Sequence, residues 1–98
     1  MKYYCYILFS TTLQKFYTGA TANSVEGRLE LHLNDFYGNN KFTHSAKDWT
    51  IFLEIPCSSY KQAMDIEKHI KKMKSSKYIQ NLKKYPDLIL KLQERFKN

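Results

Sequence analysis

The segment from Tyr3 to Phe9 constrains the fold more than any other. It is an unbroken run of aromatic, β-branched and aliphatic residues around Cys5, with neither Gly nor Pro, and it reads as a β-strand. Ser10 to Leu13 then make a short turn, and Gln14 to Thr18 reads as an antiparallel partner strand. Pairing Phe9 with Gln14 sets Tyr6 directly opposite Tyr17. Directly opposed residues leave the sheet on one face, so the two phenols become neighbours. Gly19 to Ala22 reads as a loop, with Gly19 allowing a close backbone approach at the strand end.

The next segments alternate in type. Asn23 or Ser24 can cap a helix whose first turn holds Glu26, and Val25, Leu29, His32, Leu33 and Phe36 recur at helical spacing. Gly38-Asn39-Asn40 ends that helix, and a polar loop runs to Asp48. Trp49 to Pro56 alternates large apolar residues (Trp49, Ile51, Leu53, Ile55) and reads as a third strand opened by a core tryptophan. Ser58 or Ser59 begins a second helix with Ala63, Ile66, Ile70 and Met73 as its inward stripe. Ser75-Ser76 interrupts it, and Tyr78, Ile79 and Leu82 continue in a further helical segment. Tyr85-Pro86 breaks that segment, because the residue before proline avoids the helical region. Leu88, Ile89, Leu92 and Phe96 form a last amphipathic stretch. The expected fold class is α/β (α+β): a small three-stranded antiparallel sheet flanked by helices, in the order ββαβα plus a C-terminal helical extension.

A chain of 98 residues holds one domain's worth of structure, expected over 1–98, with a basic helical extension at 77–98. A domain this small buries a low fraction of its surface, so each of the eight Tyr and six Phe matters to the core. The formal net charge of +7 points to an anionic partner: nucleic acid, an anionic membrane surface or an acidic protein. Ten of the sixteen Lys and Arg lie from Lys68 to Lys97, a pattern that also describes a solvated helix face. Cys5 and Cys57 are far apart, in no metal-ligand spacing and within apolar runs, which predicts buried free thiols in a reducing compartment. The N-terminal apolar stretch ends at Ser10 and is too short and too aromatic for a signal peptide, and no run approaches the roughly 20 apolar residues that span a bilayer. A soluble, cytoplasmic chain without a membrane partner is expected.

Several of these residues form an ordered series. Tyr4-Cys5-Tyr6 and Tyr17-Thr18-Gly19 are followed by Arg28 and His32 in the first helix. The second helix then carries Glu67-Lys68-His69-Ile70-Lys71-Lys72-Met73-Lys74-Ser75. This series resembles the GIY-YIG endonuclease superfamily over residues 2–76. The likeness is to its compact single-domain branch, similar to the N-terminal nuclease domain of excision-repair nucleases. Tyr4 and Cys5 stand where the first triplet has Gly and Ile, and Ala20 stands where the repair-nuclease branch has Lys. The resemblance implies a DNA phosphodiester hydrolase using one Mg2+ or Mn2+, with Tyr6, Tyr17, Arg28, His32 and Glu67 as catalytic residues and Glu67 as the metal ligand. It implies no small-molecule cofactor, and a monomer or weak homo-oligomer is expected.

Each residue also has a plainer reading. Glu67 follows Ala63 by four positions and adjoins Ile66, so it lies on or beside the inward face. A carboxylate there needs either a cation or a salt-bridge partner. Arg28 and His32 are spaced i, i+4 and share one helix side. The arginine can clamp a phosphate or pair with Glu30 or Asp35; the histidine can act as a base or pack inertly. Tyrosines in strands usually serve the core, and a phenol with an ordinary pKa near 10 needs a nearby cation before it can act as a base. By resemblance Tyr6 or His32 prepares the water and Tyr17 orients it. His44, Lys68, Lys71, Lys72 and Lys74 are candidate DNA contacts that hold backbone without reading sequence. His44 also suits plain loop surface, and His69, flanked by lysines, is expected to be exposed. Two other functions remain in view: a catalytically inactive nucleic-acid-binding protein that keeps the nuclease fold, and a protein-interaction module built on the amphipathic C-terminal segment.

Overall fold

The computed structural model describes residues 2–33 and 47–97, and side chains only outside 31–33. Three strands, β1 (Tyr3–Ser10), β2 (Lys15–Thr21) and β3 (Trp49–Cys57), form one antiparallel sheet in the order β2-β1-β3. Helix α1 (Val25–Leu33) lies between β2 and β3 in sequence; α2 (Tyr60–Met73), α3 (Ser76–Lys84) and α4 (Pro86–Arg95) follow β3. The ββαβα order and the helical extension are as the sequence predicts. No helix among the described residues is long and apolar enough to cross a membrane.

The first strand is central because it can be buried on both faces. Cys5, Tyr6, Ile7 and Leu8 are consecutive and none is exposed to solvent, as expected of a strand covered above and below. Cys5 and Ile7 project into an aliphatic cluster with Ile55, Ile66, Ile70, Ile79, Leu82 and Leu92. Tyr6 and Leu8 project the other way, onto Val25 of α1 and Trp49, with Tyr4, Tyr17, Leu29 and Ile51 at the margin. Helix α2 therefore covers one face and α1 the other.

The hairpin register differs from the expected one by two residues. Phe9 pairs with Phe16, Tyr6 with Gly19 and Leu8 with Tyr17. The turn is wider than the local pattern suggests, with Gln14 in the left-handed region at φ 53°. Its geometry is held from outside the hairpin. Asp48 accepts hydrogen bonds from the Ser10 hydroxyl (2.6 Å) and from the Thr12 amide and hydroxyl (2.7 and 2.9 Å). Ser10 Oγ in turn accepts from the Leu13 amide at 3.1 Å. An even offset preserves the face, so Tyr6 and Tyr17 still share one, as diagonal rather than opposed neighbours. β2 also runs on through Gly19, Ala20 and Thr21, where a loop was expected, because these residues continue the ladder against Tyr6, Cys5 and Tyr4.

β3 departs from simple alternation. Ile51 pairs with Leu8 and Leu53 with Ile7, so Phe52 is the extra residue of a β-bulge. One inserted residue reverses the facing of everything after it. Trp49 and Ile51 thus pack under α1, whereas Leu53 and Ile55 pack under α2.

Three of the four described helices start where a serine caps them, and α4 starts at Pro86 after Tyr85 with no side-chain cap. Ser24 Oγ accepts from the Gly27 amide (3.0 Å), Ser59 Oγ from Gln62 (3.0 Å) and Ser75 Oγ from Tyr78 (3.1 Å). In α2 the inward stripe is Ala63, Ile66 and Ile70. Met73 is 45% exposed, because the helix ends directly at Lys74 in the left-handed region (φ 49°) and its last turn swings off the sheet. The fourth buried residue is instead Gln62. Its carbonyl accepts from the Ser58 amide (2.7 Å), and its Nε2 donates to the Gln93 carbonyl (2.8 Å). Gln93 Nε2 donates to the Pro56 carbonyl (2.8 Å). Two neutral amides thus tie α4 to α2 and to the end of β3. The expected continuation of α1 to Phe36, its stop at Gly38-Asn39-Asn40, and His44 lie outside the described residues.

Candidate active site at the edge of the sheet

Tyr6 is fully buried on the face covered by α1, and its ring lies flat across Gly19 on β2. A Cβ added to Gly19 would stand 2.5 Å from the ring carbon Cζ. Only a hydrogen fits there, so the glycine serves the ring's close approach inside the strand rather than a turn. Tyr17, two residues earlier, is half-buried on the same face and meets Trp49 edge to face at 6.4 Å. Arg28, one turn into α1, is half-buried with its Nε shielded from solvent, and the side chain is engaged with its surroundings. His32 lies one turn further along α1; its side chain lies outside the described ones.

Glu67 enters from the opposite face. It follows buried Ile66 on α2, and its side chain is 22% exposed. Lys71, one turn on, holds Glu67 Oε2 at 2.7 Å, and the same Nζ lies 5.6 Å from the centroid of the Tyr17 ring. β2 is the outermost strand, so a long side chain from α2 can reach round its edge to a residue on the other face. Glu67, Lys71 and Tyr17 therefore meet at one margin of the sheet, and Tyr6 lies next to Tyr17 on the inner strand.

The four candidate lysines divide by helical geometry. Lys71 and Lys74 line a groove of about 670 Å³ along β2, together with Lys15, which the sequence reading did not single out. Lys15 precedes Tyr17 by two positions and shares its strand face, the one sequence signal that could have marked it. Lys68 and Lys72 lie about 60° and about 100° from Lys71 round α2 and line a smaller pocket with Asp65, His69, Arg95 and Phe96, away from the tyrosines. His69 is not exposed as expected. It is half-buried against Phe96 and Tyr78, with ring centroids 5.5 and 5.8 Å away, and its Nε2 shares a 3.1 Å hydrogen bond with the Tyr78 hydroxyl. Burial first, then Arg95 and Lys72, lowers its pKa from the ordinary histidine value. The flanking lysines mislead because positions one apart on a helix face different ways.

The thiols offer no ready nucleophile. Both cysteines are free, Cys5 buried and Cys57 half-buried, and burial raises both pKa values above the usual thiol value, Cys5 well above it. Among the described residues no three His, Cys, Asp or Glu side chains gather into a metal cage. A single partly buried carboxylate is donor chemistry for a hard cation that keeps its waters and takes its other oxygens from a phosphate; Glu67 is such a carboxylate, here paired with Lys71 and outside the lining of the groove of about 670 Å³. Soft or multi-ligand metals are poorly served by it.

The family model described as the GIY-YIG catalytic domain matches residues 2–83, from the start of β1 nearly to the end of α3. No curated protein and no solved structure matches the chain.

Proposed function

The chain belongs to the GIY-YIG family, a family of nucleases, and on that premise we propose that it is an endonuclease that hydrolyses DNA phosphodiester bonds with low sequence preference and depends on Mg2+ or Mn2+. The observation that carries this reading is the meeting of Glu67, Lys71 and Tyr17 at the β2 edge, with Tyr6 beside Tyr17. A half-buried phenol, a carboxylate and a cation at one margin, with a second phenol buried beside them, are groups that water-mediated attack on a phosphodiester can use.

In this reading Glu67 holds the divalent ion. A bound ion would polarise the phosphate and neutralise the charge that builds on the leaving oxygen. Arg28 donates to the non-bridging oxygens, and its contribution grows as their charge grows. Tyr6 or His32 takes the proton of the attacking water, and Tyr17 orients that water. Gly19 keeps the Tyr6 ring seated in one position, which limits the entropy lost on reaching the reactive geometry. Lys71 and Lys74 hold the backbone beside the site and Lys68 and Lys72 hold it further out, with His44 as a further candidate contact.

One observation favours a second reading, a DNA-binding protein without turnover: the Glu67 carboxylate is already ion-paired with Lys71 at 2.7 Å. Plasmid nicking in Mg2+ or Mn2+, beside the same preparation in EDTA and beside Glu67→Gln, separates the two. A nuclease nicks only with metal and loses roughly a hundredfold or more in rate on substitution. Equal nicking by wild type and variant would reveal a contaminant and overturn the hydrolytic reading.

A further inference from the structure

The catalytic margin accounts for Tyr17 and Lys71 but does not use a neighbouring row of aromatic rings, of which Phe16 and Phe52 also pack against the aliphatic core. At the hairpin end of the sheet, Phe9, Phe16 and Phe52 are all half-buried. Phe16 meets Phe9 at 4.8 Å and Phe52 at 4.9 Å between centroids. Phe52 stands in this row because it is the bulge residue, turned onto the face that carries its two neighbours. Two grooves run along the row. One, of about 670 Å³, passes Lys15, Phe16, Tyr17, Lys71 and Lys74; the other, of about 400 Å³, passes Phe9, Phe16, Phe52 and Gln80. They share Gln14, Phe16 and Ser76, so they are continuous, and neither lining contains an Asp or a Glu. Lys83 closes the far end, with Nζ 4.6 Å from the Phe52 centroid. The track is thus floored by aromatic carbon and rimmed by four lysines of one charge sign.

We infer that this track takes an unpaired DNA strand, with its phosphates on Lys15, Lys71, Lys74 and Lys83 and its base faces against Phe16 and the adjoining rings. The inference rests on the reading of DNA as the partner and adds which form of it is held. The occupant follows from chemistry. A polyanion complements the lysine rim, where Lys71 would exchange its bond to Glu67 for a phosphate, but an apolar floor between the lysines offers nothing to a duplex, whose outer surface is sugar and phosphate and whose base faces are already stacked inside. An unpaired strand brings both charge and open π-faces, and aromatic floors within basic grooves bind such strands with little sequence preference. The groove opens at Tyr17, so a strand lying in it leads directly to the catalytic margin.

The test measures binding of labelled oligonucleotides to the whole protein in EDTA, where metal-dependent cleavage is suspended. A mixed-sequence single strand should bind at least about fivefold more tightly than a blunt duplex of equal length. Phe16→Leu keeps most of the packing volume and removes the stacking face. It should weaken single-strand binding by about five- to a hundredfold, with duplex binding and the melting temperature little changed. Lys74→Gln, at an exposed helix end, should weaken binding and reduce the slope of log affinity against log salt by about one. Equal affinity for single strand and duplex in the wild type, or full single-strand preference in Phe16→Leu, overturns the inference. Neither result bears on hydrolysis, and selective strand binding with no metal-dependent cleavage of either the plasmid or the same single strand would leave this inference standing while the hydrolytic reading fell.

Discussion

The two faces of the sheet are built from different chemistry. Under α2 the central strand contributes Cys5 and Ile7, which meet isoleucines and leucines from β3 and from α2 to α4. Under α1 it contributes Tyr6 and Leu8, which meet Val25, Trp49 and the partly buried Tyr4 and Tyr17. Aliphatic chains carry no polar atoms and can be packed without further conditions, whereas each phenol and indole needs a partner for its polar tip. The α2 face therefore carries most of the aliphatic core, with Glu67 and Lys71 at its rim, and the α1 face carries the polar-tipped rings that the proposed hydrolysis uses. At the β2 edge Lys71 passes from one side to the other, with its Nζ over the Tyr17 ring.

Substitutions that separate stability from activity can break or sharpen this contrast. Ile66→Ala, in the aliphatic cluster, has the largest expected cost, about 2–5 kcal/mol by urea denaturation. Nicking per folded molecule should hold near the wild-type rate; a matching loss of activity would mean that the faces are not independent. Gly19→Ala should cost less, about 1–3 kcal/mol, because it forces the Tyr6 ring to shift rather than opening a cavity. It should nonetheless reduce nicking far more than Ile66→Ala does, and an active Gly19→Ala would show that the seating of Tyr6 is irrelevant.

Asp48→Asn should have the smallest effect, confined to the pH dependence of stability. The Ser10 hydroxyl, with the Thr12 amide next, lowers the Asp48 pKa below its ordinary value. A carboxylate whose folded pKa is depressed adds stability above its unfolded value, near 3.9, and loses it as pH falls through the lower folded value. Thermal melts of wild type and variant should differ slightly at neutral pH and converge in acid, once the pH lies below the lowered folded value. Curves that stay parallel to the lowest pH would show that Asp48 does not clamp the hairpin turn shared by both faces.

The element order was legible because each segment carries its own period, three helices open on a capping serine and the fourth on Pro86. The pairing of Tyr6 with Tyr17 on one face was legible only in part. A strand alternates with period two, so any even error of register leaves the face correct while shifting the partner, here from Tyr17 to Gly19. The turn itself is set by Asp48, thirty-six residues beyond Thr12, which no local pattern contains. The bulge at Phe52 was hidden for a similar reason. Trp49, Ile51, Leu53 and Ile55 alternate cleanly in sequence, and only the pairing with Ile7 and Leu8 shows that they serve different faces. Gln62 was overlooked because an amide looks like a surface residue until its bonds to Ser58 and Gln93 are seen. Glu67 could be singled out only through the motif, since nothing in its own spacing separates a carboxylate bound for Lys71 from one bound for a metal.

The linked amides of Gln62 and Gln93 have a consequence for how such a charged molecule tolerates its surroundings. Amide groups neither titrate in the physiological range nor attract counterions, so the brace they form between the last helix and the sheet holds across wide swings of acidity and ionic strength. The lysine-covered exterior can tighten or loosen its grip as the medium changes, while the frame that carries it keeps its shape.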